Sequence, residues 1–183
     1  VYFIDNEEYF KRKAIFYDEN DKFFEDNDQR AIFFCRGVIE TVKKLGWSPD
    51  IVHCHGWMAS FMPLYLKRFH SDDPLFADSK TVLSMYSGKD ESFNGTLTEN
   101  LKFDGLEGED IKRYENANLN DIYKAAVHYV DGVVAANDKV DSSVIDYAKE
   151  NAANFVDLSA SENTADDVYS LYEQITIEEE SVA

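Results

Sequence analysis

Apolar residues follow two rhythms along this chain, short unbroken runs and longer stretches where they recur every three or four positions. Tyr2, Phe3 and Ile4 form the first run, closed by Asp5 and Asn6, and predict a buried strand. The stretch that follows is aromatic and acidic without a clear period. Asn27 then offers an N-cap, and Ala31, Phe34, Val38, Val42 and Leu45 keep helical spacing until Gly46 stops them. Pro49 precedes a second strand over Asp50 to Cys54, which carries His53 and His55 at its end and is broken by Gly56. Met58, Phe61, Met62, Tyr65 and Phe69 predict a helix beginning at once after Gly56 and kinked at Pro63.

Thr81 to Met85 reads as the next strand. Residues 87–118 are rich in Gly, Ser, Asn and charge, with apolar islands at Phe93, Leu97, Leu101 and Phe103, and predict an irregular insertion. Leu119, Ile122, Tyr123, Ala126, Val127 and Val130 mark a helix, and Gly132 to Ala136 a fully apolar strand. Val140, Val144, Ile145 and Ala148 give another helix, Phe155 to Leu158 another strand, and Val168, Leu171, Tyr172 and Ile175 a last helix before the solvated tail through Glu180. Alternating strands and helices, with strands apolar on both faces, define an α/β fold: a doubly wound, mostly parallel sheet with helices on both faces. In such sheets ligands sit beyond the carboxyl ends of the strands, which makes the loops after Cys54, Met85, Ala136 and Leu158 the candidate rim.

Charge changes the picture of partners. Thirty-six acidic against 18 basic side chains give a net charge of −18 over 183 residues, the opposite of what a phosphate backbone or an acidic lipid surface attracts. With 44% hydrophobic and 14% aromatic residues the chain has too much apolar material for a disordered acidic chain and enough for one packed core. No apolar run reaches the roughly 20 residues of a membrane span, and no signal-peptide layout opens the chain. Cys35 and Cys54 do not form a disulfide framework, and a soluble cytoplasmic protein is expected. Walker, G-x-G-x-x-G and paired C-x-x-C motifs are absent. Val1 stands where Met would open a chain, inside a predicted strand, which suggests the later part of a longer polypeptide.

The densest chemistry lies in Asp50-Ile-Val-His-Cys-His-Gly-Trp-Met58. Alternation puts His53 and His55 on one face of the strand, with Cys54 on the other as an inert buried thiol. A helix starting at Gly56 would turn its N–H groups toward a phosphate or hydroxyl beside His55. Two readings compete for His53, a ligand contact or a ring packed and hydrogen-bonded within the sheet. An H-x-H metal site for a hydrolase is an outside alternative, because His70 and His128 lie at no ligand spacing; no metal is expected.

These residues carry a resemblance. Asp26-Asn-Asp-Gln-Arg30 before a helix, Leu45-Gly-Trp-Ser-Pro-Asp-Ile-Val-His-Cys-His-Gly-Trp57 and Pro63-Leu-Tyr-Leu66 are similar, in order and spacing, to the N-terminal catalytic domain of bacterial glycogen and starch synthases, glycosyltransferase family 5. The short glycogen-synthase-like proteins of Bacteroides-type bacteria look nearest. The likeness is strong over Val1 to Leu66, weakens at Thr81 to Met85, and partly returns at Tyr123 to Asp131. It implies a Rossmann-like half of a two-domain fold, with residues 1–183 as one N-terminal-type domain lacking its first strands. It further implies glucose transfer from ADP-glucose to an α-1,4-glucan with retention, no metal and no cofactor beyond that donor.

By position, the resemblance makes His55 the catalytic residue and His53, Gly56, Trp57, Asp26, Asn27, Arg30 and Tyr86 substrate-binding. Asp26, Asn27 and Arg30 read equally as a helix cap with a first-turn ion pair. Gly56 replaces the family's Asp, Met58 its frequent His, and Met85-Tyr-Ser87 its His-Asn pair. The K-T-G-G-L loop and the nucleotide-binding second domain are not among these residues. The expectation is a glucosyltransferase domain that acts poorly alone, with α-glucan or nucleotide sugar as ligand and a second protein supplying the missing half. The alternative is a non-catalytic glucan-binding or interaction module derived from that family. Neither nucleic acid nor membrane is expected as partner.

Overall fold

A computed structural model describes residues 2–3, 5–93 and 95–177. A short helix α1 (Glu7–Phe10) is capped by Asn6, whose Oδ1 accepts from the Tyr9 N–H at 2.9 Å. The long α2 (Asn27–Leu45) ends at Gly46, in the left-handed region at φ 60°. Strand β1 (Ile51–His55) runs into a 3₁₀ turn (Trp57–Ala59) and α3 (Met62–Phe69). After β2 (Lys80–Met85) come α4 (Thr96–Phe103), α5 (Glu109–Lys112) and α6 (Leu119–Ala126) with a 3₁₀ turn over Val127–Tyr129. Strand β3 (Gly132–Ala135), α7 (Ser142–Asn151), β4 (Phe155–Asp157) and α8 (Thr164–Ile177) complete the order.

The four strands form one sheet in the order β1-β2-β3-β4, every pair parallel, with His55 opposite Ser84 and Met85 opposite Ala135. Alternation sorts the two faces. Cys54, Leu83, Met85, Val133 and Ala135 point into the main core with α2, α3, α6 and α7, whereas Val82 and Val134 meet Leu171 and Ile175 of α8 on the other face. The expected α/β fold with a parallel sheet and helices on both faces is therefore present. Gly132 lets α8 come close, since a Cβ there would lie 3.2 Å from the Leu171 side chain. No helix among the described residues is long and apolar enough to cross a membrane.

Several local expectations are corrected. Tyr2 and Phe3 are not in a strand and are 71% and 90% exposed; Ile4 and the tail after Ile177 lie outside the described residues. Asp26, not Asn27, holds the N-cap position of α2. The stripe of α2 that packs hardest is Ala31, Cys35 and Ile39, while Leu45 is exposed. Pro63 does not kink a continuous helix. It sits in the first turn of α3, where its missing N–H costs nothing, and the chain before it takes a separate 3₁₀ turn. Residues 87–118 are not irregular throughout, because α4 and α5 fall within them, and Leu97 and Leu101 of α4, Ile111 of α5 and the neighbouring Leu106 and Tyr114 are buried in the main core. Short helices with gaps at Gly105 and Gly108 leave too few turns for the period to show in sequence.

Candidate functional site

The carboxyl ends of β1 and β2 are stitched together by Gly56 N–H donating to Ser84 O at 3.0 Å. Gly56 has φ 76° and ψ 170°, a backbone region that only glycine occupies at low cost, and it turns the chain abruptly off the strand. Its carbonyl accepts from Ala59 N–H and from Ser60 Oγ at 3.1 Å, which fixes the turn. Because α3 begins only at Met62, the chain after Gly56 does not place a helix N-terminus directly beside His55, contrary to expectation.

His53 and His55 share the α8 face of β1, and their rings stack with centroids 4.1 Å apart. His53 is half-buried with both nitrogens engaged, Nδ1 with the Tyr172 hydroxyl and Nε2 with Ser84 Oγ at 2.8 Å. Burial, and then the neighbouring His55, lower its pKa to about 4. His55 is exposed, and its Nδ1 meets the Tyr86 hydroxyl at 3.0 Å. Among the described residues no hydrogen-bond partner is found for its Nε2. Partial burial lowers the His55 pKa as well, so both rings are neutral at neutral pH.

His55, Gly56, Trp57 and Tyr86 line a cavity of about 260 Å³ at this rim, with Phe16, Tyr123 and Lys89 among its other walls. Trp57 is only 8% exposed and packs edge to face or tilted against Phe16, Phe23 and Phe93, with centroids 5.1–5.8 Å away. Tyr86 is held from behind, its N–H donating to the Tyr123 oxygen at 3.2 Å. Lys89 is the one Lys or Arg in the lining among the described residues. It pairs with Asp21 and lies 4.7 Å over the Tyr17 ring. The amides opening α6 are spent too: Leu119 N–H donates to Glu91 O, Asn120 N–H to Asp90 Oδ1 and Asp121 N–H to Asn118 Oδ1. The cavity is thus aromatic, small and short of uncommitted positive charge.

Asp26, Asn27 and Arg30 are not in the cavity lining. Arg30, 2% exposed, donates to Tyr9 O at 2.9 Å, to Ile15 O at 2.7 Å and to Asn27 Oδ1 at 2.5 Å. Asn27 Nδ2 donates to Phe16 O at 2.9 Å, and Asp26 takes a two-pronged ion pair from Arg12. Together they clasp residues 9–16 onto the start of α2 and so place Phe16 at the cavity wall. The sequence reading missed Phe16, Lys89 and Tyr123 as lining, and Tyr172 as the partner of His53. In the sequence Tyr123 and Tyr172 read as apolar positions of helices, and a hydroxyl leaves no mark on helical periodicity.

Elsewhere, Cys35 and Cys54 are free and buried. Burial raises both thiols, Cys54 to about 12, which makes them poor nucleophiles. His70 faces Asp73 and His128 faces Tyr147, both remote from the rim. Among the described residues no three His, Cys, Asp or Glu side chains converge as metal ligands would. A wider groove of about 530 Å³ between α1, α2 and α4 holds none of the expected site residues.

Parallel strands, one ending in His55 beside a small aromatic cavity, define an α/β domain with a candidate ligand site at its strand ends. The chain belongs to the starch synthase catalytic domain family, glycosyltransferase family 5, whose family model matches residues 1–153. The glycogen synthase of Chlorobium limicola is 46% identical over 88 residues, covering 48% of this chain and 18% of that protein. Glycogen synthase 2 of Geobacter sulfurreducens is 36% identical over 87 residues, again 48% of this chain and 18% of that protein. The alignments thus reach only a fraction of the length of these relatives. The fold is shared with the catalytic domain of starch synthase IV from Arabidopsis thaliana, solved bound to ADP and acarbose. That likeness has a TM-score of 0.53 at 16% identity, over 73% of this chain and 30% of that one. The family inferred from the Leu45 to Trp57 segment is therefore the right one.

Proposed function

We propose that the His55 rim binds a glucosyl unit of an α-1,4-glucan. In this reading the chain is a domain of a glycogen or starch synthase-type glucosyltransferase that takes ADP-glucose as donor, and the 183 residues transfer glucose poorly by themselves. The observation that carries the reading is His55 Nε2, an imidazole nitrogen for which no hydrogen-bond partner is found among the described residues, at a cavity walled by Trp57, Tyr86 and Phe16. Whichever way the proton lies between Nδ1 and Tyr86, Nε2 is left to donate to or accept from a sugar hydroxyl, which can do both. The volume, about 260 Å³, lies at the small end for ligand pockets and suits one pyranose ring better than a whole nucleotide sugar.

Charge supports the second half of the reading. A diphosphate leaving group needs positive charge aimed at it, and Lys89, the one Lys or Arg in the cavity wall among the described residues, is paired with Asp21. Donor binding then calls for cations from outside these residues, and a second protein is one source. In this reading Asp26, Asn27 and Arg30 serve the ligand through Phe16, and His53 serves it through His55. The same neutralised, aromatic cavity is what a non-catalytic glucan-binding module would show, and it is the alternative. A cytoplasmic site of action goes with either, since both cysteines are free thiols.

Titrations with maltoheptaose and with ADP-glucose, each followed by Trp fluorescence, test the reading. Trp47 is 60% exposed, and replacing it by Phe leaves Trp57 as the sole reporter at the cavity. Saturable quenching by maltoheptaose, with weak or no response to ADP-glucose, is expected. Tight ADP-glucose binding with robust His55-dependent turnover by these residues would overturn the claim of poor transfer, and no response to either ligand would overturn the site.

A further inference from the structure

The α8 face of the sheet carries a polar relay in an otherwise apolar setting. Ile51, Val82, Val134, Val156, Leu171 and Ile175 pack there, and among them Tyr172 reaches across to His53 Nδ1 while Ser84 Oγ holds His53 Nε2 at 2.8 Å. The Tyr172 and His53 rings meet edge to face, 88° apart, and His55 stacks on the same imidazole with its plane inclined by 25°. Tyr172 lies beyond residue 153, where the family match ends, so this contact is not part of the matched catalytic-domain sequence.

We propose that Tyr172 is a positioning residue for His55: by fixing the His53 ring it sets the plane of the imidazole stacked above and the nitrogen that His55 turns to the cavity. The relay needs only neutral groups. If Tyr172 donates to Nδ1, Nε2–H donates to Ser84; if Nδ1–H donates to Tyr172, Ser84 donates to Nε2. In both directions His53 has no nitrogen left for a ligand, and its value to the rim is the surface it offers His55. Among the described residues, the groups facing the pair are Tyr172 from α8, Ser84 from β2 and Tyr86 from the following loop, with neither carboxylate nor ammonium acting on the two rings. The depressed titration of His53 agrees with such an enclosed, neutral ring.

The inference rests on the reading of His55 as the ligand-facing group, but its test needs no ligand. Histidine side-chain ¹⁵N spectra of the 183-residue chain, recorded against pH, report the tautomer and pKa of each ring. In Tyr172→Phe, His55 is expected to change its tautomer ratio and to titrate closer to the ordinary imidazole value. Tyr169→Phe, on the exposed side of the same helix, should change neither. A folded Tyr172→Phe in which His55 keeps its tautomer and pKa overturns the proposal. Should that variant release α8, Ser84→Ala removes the other hold on His53 with α8 in place, and an unmoved His55 there overturns it equally. Packing of α8 alone would not move the tautomer. A shifted His55 without glucan binding would sink the functional reading and leave this one standing; glucan binding with an unmoved His55 would do the reverse.

Discussion

His53 and His55 stack ring on ring 4.1 Å apart, two imidazoles on one face of β1, and neither can take a proton without charging its neighbour's surroundings. In the unfolded chain both titrate near 6.5, and in the folded chain both are lowered, His53 to about 4. Burial lowers His70 and His128 as well. Between the folded and unfolded values the unfolded chain binds more protons, so this stability is complete above about pH 6.5 and is lost as pH falls toward about 4. For His53 the loss should be about 1–2 kcal/mol after discounting solvent screening of a partly exposed ring. Urea unfolding at about pH 7.5 and about pH 4.5 measures it, and His53→Gln should flatten the slope.

Arg30 is the clasp of the N-terminal segment, and its loss strands the carbonyls of Tyr9 and Ile15. Arg30→Met should destabilise the chain by about 2–4 kcal/mol, more than any exposed ion pair here would. Amide exchange should rise over residues 9–17 first, and glucan binding should weaken because Phe16 leaves the cavity wall. Unchanged exchange in that segment would refute the clasp.

What could be read ahead of the structure, and what could not, divides along physical lines. Apolar runs such as Val133 to Ala135 announce strands buried on both faces, and period two alone put His53 and His55 together. Tyr2 and Phe3 look the same locally but have no sheet neighbour among the described residues, and a run of apolar residues does not say whether it is paired. Leu97 and Leu101 stand out in the sequence only as islands, because an eight-residue helix shows a single repeat. At the candidate site, the resemblance points to His55, Gly56, Trp57 and Tyr86, and these four line one cavity. Phe16, Lys89 and Tyr172 come from segments remote in sequence, and only tertiary packing brings them to the rim.

By the resemblance Gly56 takes the place of an Asp, and the backbone explains what a glycine permits there. At φ 76° and ψ 170° a side chain is strained, although a Cβ would find open space with nothing within 4 Å. Gly56→Ala and Gly56→Asp should therefore each cost about 1–3 kcal/mol, read as a lowered thermal midpoint. Equal costs identify the backbone as the cause; an Asp variant as stable as the parent would show that the turn relaxes to another conformation.

The pairing of Lys89 with Asp21 governs what the cavity can attract. Asp21 sits at φ 60°, a conformation Asn tolerates, so Asp21→Asn should keep the turn and free the ammonium. Exposed pairs of this kind contribute little to stability, under about 1 kcal/mol. Calorimetric titration of the variant should show ADP-glucose binding tightened by about two- to fivefold and maltoheptaose binding unchanged. A gain for the glucan and none for the anion would place the sugar, not the diphosphate, beside Lys89.

The claim on which the rest depends is that His55 Nε2 meets a sugar. The most direct test follows the His55 ring nitrogens by ¹⁵N NMR while maltoheptaose is added to the 183-residue chain at neutral pH. A saturable shift at Nε2, with little change at the His53 nitrogens and loss of binding in His55→Ala, is expected. Saturable binding that leaves His55 Nε2 unmoved, or binding that survives His55→Ala, would contradict it.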